Sequence, residues 1–131
     1  MPDPRLNALG IVVADMNAAR MFYGRLGLTF EVDERTPTHA ACDLPNGLHL
    51  MLDTEEFLRD YTPDWQRGRG SPPVFLAFQF DTPDEVDAKH AELVAAGYAS
   101  LREPWDAFWG MRYATVLDPD GNGVDLYAVR E

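Results

Sequence analysis

Histidines, acids and a run of aromatic rings are the residues through which this chain can do chemistry. His49 stands between Leu48 and Leu50 in an alternating stretch, so it shares its parity with Met51 and faces away from the leucines. An imidazole so placed can contact a ligand or carry a proton, and it can equally donate a structural hydrogen bond to a neighbouring strand. Asp125 lies between Val124 and Leu126. A carboxylate among apolar groups needs a partner, since it is otherwise costly or becomes protonated, and Arg112 or a tyrosine hydroxyl can supply one. Trp105, Phe108 and Trp109 fall within five residues of the segment Pro104–Tyr113, which reads as a loop between strands. Rings there suit stacking on a planar or apolar ligand, or packing against a partner subunit. His39, beside Thr36-Pro37-Thr38, can enter a site from the third strand or stay solvated. His90 reads as a surface or packing residue of a helix, Cys42 as an inert apolar strand residue, and Glu55, Glu56, Asp60 and Asp64 as a solvated face.

The wider composition narrows the function classes. At 131 residues, with 46% hydrophobic and 25% charged, the chain has the size and apolar content of one packed domain. Its 22 acidic against 11 basic side chains give 11 − 22 = −11, which disfavours nucleic acid and anionic lipid as partners. The single cysteine excludes an internal disulfide, and no signal-like or membrane-spanning run is read, so a cytoplasmic protein is expected. There is no GxGxxG after a strand, no GxxxxGK followed by Ser or Thr, no HExxH and no GxSxG, which leaves common nucleotide binding, zincin chemistry and an α/β-hydrolase unsupported.

The elements that must position these residues repeat. A strand over 6–13 is followed by a helix over 16–26 capped by Asp15, then by strands over 28–34, 38–44 and 48–53. A linker over 54–73, with a helical turn near Glu55 to Tyr61, leads to a strand over 74–81. The helix over 83–96 opens with the capping box Thr82-Pro83-Asp84-Glu85, and strands over 99–103, 111–117 and 124–129 complete the chain. Two βαβββ modules result, at 6–53 and 74–129. Gly47-Leu48-His49-Leu50-Met51-Leu52 aligns with Gly123-Val124-Asp125-Leu126-Tyr127-Ala128, which makes His49 and Asp125 counterparts. Helices are expected to cover the parity of Leu9, Ile11, Leu48, Leu50, Leu76, Phe78, Val124 and Leu126, leaving the other parity for function.

Val13-Ala14-Asp15-Met16, Phe22-Tyr23, Leu26-Gly27-Leu28, Phe78-Gln79-Phe80, Ala95-Ala96-Gly97, Arg112-Tyr113 and Asp118-Pro119-Asp120-Gly121-Asn122, in this order and spacing, resemble the vicinal oxygen chelate superfamily. That group includes glyoxalase I, bleomycin-resistance proteins, fosfomycin-resistance enzymes and extradiol dioxygenases. The resemblance implies an α+β fold in which two βαβββ modules form a U-shaped, incomplete eight-stranded barrel, and a homodimer. Metal-dependent members take ligands from the first and fourth strands of each module, positions carried over to Ala8, Phe75, His49 and Asp125. Ala and Phe cannot ligate, and two remaining donors make a poor site. The resemblance therefore leans toward the ligand-binding branch, with no metal, no cofactor, and a small hydrophobic or aromatic compound held by His49, Met51, Phe75, Trp105, Phe108, Trp109, Arg112 and Asp125. A metal-dependent lyase or dioxygenase with a degenerate site, and a cofactor-free acid–base enzyme using His49 and Asp125, are the alternatives.

Overall fold

In the computed structural model, which describes residues 3–131, the chain runs β1 (Ala8–Val13), α1 (Met16–Gly24), β2 (Glu31–Asp33), β3 (Thr36–Asp43), β4 (His49–Thr54), α2 (Glu55–Tyr61), β5 (Phe75–Gln79), α3 (Pro83–Ala95), β6 (Ser100–Ala107), β7 (Met111–Leu117) and β8 (Gly123–Val129). The protein is α+β, with one unit running to Arg67 and the other spanning Gly68–Glu131. Each carries a four-stranded mixed sheet, in the orders β1-β4-β3-β2 and β5-β8-β7-β6. The first and last strands of each unit pair in parallel, β1 with β4 and β5 with β8. The remaining neighbours are antiparallel.

Local chemistry sets the helix starts. The Asp15 carboxylate accepts from the Ala18 N–H at 3.0 Å. Thr82 Oγ1 accepts from the Glu85 N–H while the Glu85 carboxylate accepts from the Thr82 N–H, the reciprocal box expected from the sequence. In the first unit α1 packs on β4, burying Ala19, Phe22 and Tyr23 together with Ile11, Val13, Ala40, Leu50 and Leu52. In the second, α3 packs on β6, β7 and β8, with Val86 and Leu93 buried alongside Ala114, Val116, Val124, Leu126 and Ala128. His90 joins this core, its Nε2 2.8 Å from Ser100 Oγ. One parity of each sheet is thus given to a long helix, as the alternation requires.

Two strands differ clearly from expectation, while the helical turn expected in the linker is found as α2. The second strand shrinks to Glu31–Asp33. The sixth strand extends through Pro104 to Ala107, so Trp105 is a strand residue and not part of a loop. Pro104 is tolerated because β6 is an edge strand whose register with β7 shifts between Arg102 and Trp105.

The internal repeat also lies two residues away from the alignment of Gly47 with Gly123. Leu44 N–H donates to Leu48 O at 2.9 Å and Asp118 N–H to Asn122 O at 3.0 Å, closing two like turns. Gly47 and Gly121 hold the left-handed position in them, at φ 91° and 83°. The equivalent pairs are therefore Met51 with Asp125 and His49 with Gly123, and His49 is not the counterpart of Asp125. The parallel registers agree, with Ala8 opposite His49 and Phe75 opposite Gly123. A two-residue slip leaves every side chain on its own face, so the hydrophobic pattern cannot detect it.

Candidate ligand site

On the face of the second sheet away from α3, the strand register lines up two rows. Trp105 lies opposite Tyr113, Tyr113 opposite Tyr127, and Tyr127 opposite Gln79, crossing all four strands. The next row runs Arg102, Thr115, Asp125 and Ala77. Tyr113 and Tyr127 stack with centroids 5.7 Å apart and planes at 23°. Trp109, in the turn after β6, meets Tyr113 at 5.4 Å and Trp105 at 5.5 Å, both edge-on. Phe108 extends the series at 4.8 Å from Trp109 and is 90% exposed. The Arg102 guanidinium sits 4.1 Å over the Trp105 ring. An unbroken succession of rings thus leads from the β6–β7 turn into the sheet.

Asp125 lies beside this series. Its Oδ2 accepts from the Tyr113 hydroxyl at 2.8 Å and its Oδ1 from the Thr115 hydroxyl at 2.6 Å. Of the partners expected, the tyrosine is the one found, and Arg112 is not. Burial first, then the hydrogen bond to Asp125 and the nearby carboxylate charge, push the Tyr113 phenol up to about 12. Tyr113 thus remains a protonated donor at neutral pH.

Arg112 points to the other side of the sheet. Its Nε and Nη2 bond Asp87 of α3 at 2.9 and 3.1 Å, and Nη1 bonds Asp106 at 3.1 Å. The hydrogen bonds it donates to Asp87 are the main cause of its raised pKa. Grouped with the ligand-facing residues from the sequence, it instead clamps α3 onto the sheet. Its parity with Ala114 and Val116 is the signal that separates it from Tyr113.

Met51 and His49 are on the first unit's face away from α1, with Phe57 of α2 at its side. His49 Nδ1 lies 2.6 Å from Asp43 Oδ1 and His39 Nδ1 2.5 Å from Asp53 Oδ1, two cross-strand pairs that flank Ala41 and Met51. Phe75, 45% exposed, lies over Gly123, whose position has no room for a Cβ. Sequence reasoning missed Tyr113, Thr115, Tyr127 and Gln79, and the acids that hold the histidines. Alternation together with the correct turn register would have found them.

The side chains do not fit a divalent metal. Ala8 and Phe75 carry no donor atom, Met51 occupies the place equivalent to Asp125, and both Asp125 oxygens already accept hydroxyl protons. Among the described residues no three His, Cys, Asp or Glu side chains converge. No helix among them is long and apolar enough to cross a membrane.

With this architecture in place, the chain belongs to the Glyoxalase/Bleomycin resistance protein/Dioxygenase superfamily, whose model matches residues 5–126. Among solved structures it is similar to a glyoxalase/bleomycin resistance protein/dioxygenase from Nocardioides, 26% identical over 100% of this chain and 87% of that one, with a TM-score of 0.78. It shares the fold of a glyoxalase/bleomycin resistance protein/dioxygenase family enzyme from Burkholderia phytofirmans PsJN, with TM-score 0.83, 22% identity, and coverage of 96% and 99% of the two chains. A glyoxalase-related enzyme from Fulvimarina pelagi shares it too, with TM-score 0.80, 22% identity, and coverage of 95% and 87%. No curated protein matches significantly.

Proposed function

We propose that this protein binds a small planar, largely apolar compound, an antibiotic or an aromatic metabolite, without a metal, and so sequesters it. The observation that carries this reading is the row Trp105, Tyr113 and Tyr127 with Trp109 at its head and the Asp125 carboxylate beside it. Flat rings offer contact area at small entropic cost, and an aromatic ligand whose surface is fully covered gains about 1.5–3 kcal/mol for each ring-sized portion buried. Asp125 anchors a donor group on such a ligand; it is not placed to act as a base, because two hydroxyls already hold it. The acidic net charge of −11 favours neutral or cationic ligands over anions. Exposed Phe108, Trp109 and Val129 support a homodimer, since clustered apolar side chains mark contact surfaces. The single cysteine, which leaves no internal disulfide, supports a cytoplasmic setting.

The test is tryptophan fluorescence against a library of aromatic antibiotics and metabolites, read together with melting temperature. Quenching by a planar compound, reduced in Trp105→Ala, is expected. Neither quenching nor a melting shift across the library would overturn the reading. Stoichiometric Zn, Fe, Mn or Ni retained after dialysis, and lost when Asp125 is changed, would overturn its metal-free part.

A further inference from the structure

The pair His39 and Asp53 lies in the first unit and plays no part in the aromatic row described above. His39 on β3 and Asp53 on β4 are register partners, and their side chains meet at 2.5 Å between Nδ1 and Oδ1. An ionised carboxylate can only accept, so Nδ1 donates the proton of this hydrogen bond, and in the neutral imidazole Nε2 is the acceptor. The two side chains are 34% and 14% exposed, so the acid is the more buried partner and the imidazole keeps part of its surface in solvent. The Phe57 ring flanks the imidazole at 6.1 Å. Gly10 stands next to Asp53 and Met51; a Cβ there would be in ordinary van der Waals contact, 3.9 Å from Asp53 Oδ2 and 3.8 Å from Met51 Cε.

Two comparisons within the molecule separate this pair from ordinary packing. The equivalent cross-strand pair in the second unit is Tyr113 with Tyr127, so this place in the hairpin does not require a histidine and an acid. The other histidine pair, His49 with Asp43, has side chains 39% and 85% exposed and is a solvated surface contact of the same chemistry. Among the described residues, His39 combines a hydrogen bond to a largely buried acid with an aromatic neighbour.

We propose that His39, aligned by Asp53, is a proton-accepting site for an aromatic ligand that carries a weakly acidic hydroxyl. The ligand ring packs beside Phe57 and Met51. Its O–H bond breaks as Nε2–H forms, the electron pair stays on the oxygen, and the imidazolium is held between the phenolate and Asp53. The transfer is reversible and needs no other reactant.

Para-nitrophenol tests this with the full chain, because its phenol and phenolate absorb at different wavelengths. At a pH where the free probe is partly ionised, the protein should bind it and enrich the phenolate. His39→Gln should weaken binding about tenfold and abolish the enrichment. In Asp53→Asn the amide can donate to Nδ1, which moves the ring proton to Nε2, so the enrichment should vanish in a protein that circular dichroism shows to be folded. If that variant does not fold, the half-exposed His39→Gln decides alone. His49→Gln should retain the enrichment. No enrichment in the unaltered protein, its persistence in His39→Gln, or its loss in His49→Gln would overturn the proposal. Enrichment that survives while no library compound quenches tryptophan would uphold this site and defeat the aromatic-row reading alone.

Discussion

The Tyr113 hydroxyl donates to the Asp125 carboxylate at 2.8 Å, joining two strands across the face opposite α3. Its pKa, raised from the ordinary 10.0 to about 12 by burial first and by Asp125 second, ties stability to pH. The unfolded chain releases this proton near its ordinary value while the folded chain retains it. The contribution is therefore complete below about pH 10 and is lost as pH rises toward 12. Absorbance titration of the five tyrosines should contain a late step that belongs to Tyr113. Tyr113→Phe removes that step, and Asp125→Asn returns it part of the way, since burial remains. A late region of the titration that is the same with and without Tyr113→Phe would show that the pair does not form.

Arg112 makes a stability prediction of a different kind. Its fork on Asp87 and its third bond to Asp106 fasten α3 to the sheet. Arg112→Ala should cost about 1–2 kcal/mol in urea unfolding, more than an ordinary surface pair because the contact is bidentate. Arg112→Lys should recover less than half, as an ammonium cannot reproduce the fork. Ligand quenching per folded molecule should not change; its loss at normal stability would place Arg112 in the site after all.

Phe75 and Gly123 form a large-and-small couple where the first unit has Ala8 and His49. A Cβ at Gly123 would stand 2.2 Å from the Phe75 ring, so Gly123→Ala must displace it, at about 1–3 kcal/mol for overpacking. Phe75→Ala should cost little by itself, the ring being half exposed. Combined, the two changes should cost clearly less than their sum in a double-mutant cycle. Simple additivity would mean that the ring does not rest on Gly123.

How far the sequence reveals this molecule follows from what alternation can and cannot encode. The parities of Ile11, Leu50, Val124 and Leu126 mark the buried side, and the caps Asp15 and Thr82 mark the helix starts, because both are local properties of the chain. Which residues sit opposite one another is set by turns. Gly47 and Gly123 look alike in sequence, yet Gly47 shares its left-handed backbone with Gly121 and not with Gly123, and that misplaced His49 by two residues against Asp125. Trp105 was hidden by Pro104, whose presence in an edge strand depends on a register shift. Asp43 and Asp53, charged residues near strand ends, gave no sign that each would meet a histidine across the hairpin.

The division of labour between rings and carboxylate in the second unit gives a final test. If the rings supply most of the affinity, Trp105→Ala should weaken every planar ligand by about 1–3 kcal/mol, whatever groups the ligand carries. Asp125 contributes only where a ligand offers a donor. Asp125→Asn should therefore weaken amine- or hydroxyl-bearing ligands by roughly 1–1.5 kcal/mol, near tenfold in Kd, and leave purely apolar rings unaffected. Titrating one quenching compound and its analogue without the donor group against both variants separates these contributions. Equal loss for the pair in Asp125→Asn would show that the acid acts through Tyr113 and Thr115, shaping the wall, and does not touch the ligand. Turnover of a bound compound that disappears in Asp125→Asn while binding persists would instead make Asp125 catalytic and remove the protein from the class of simple binders.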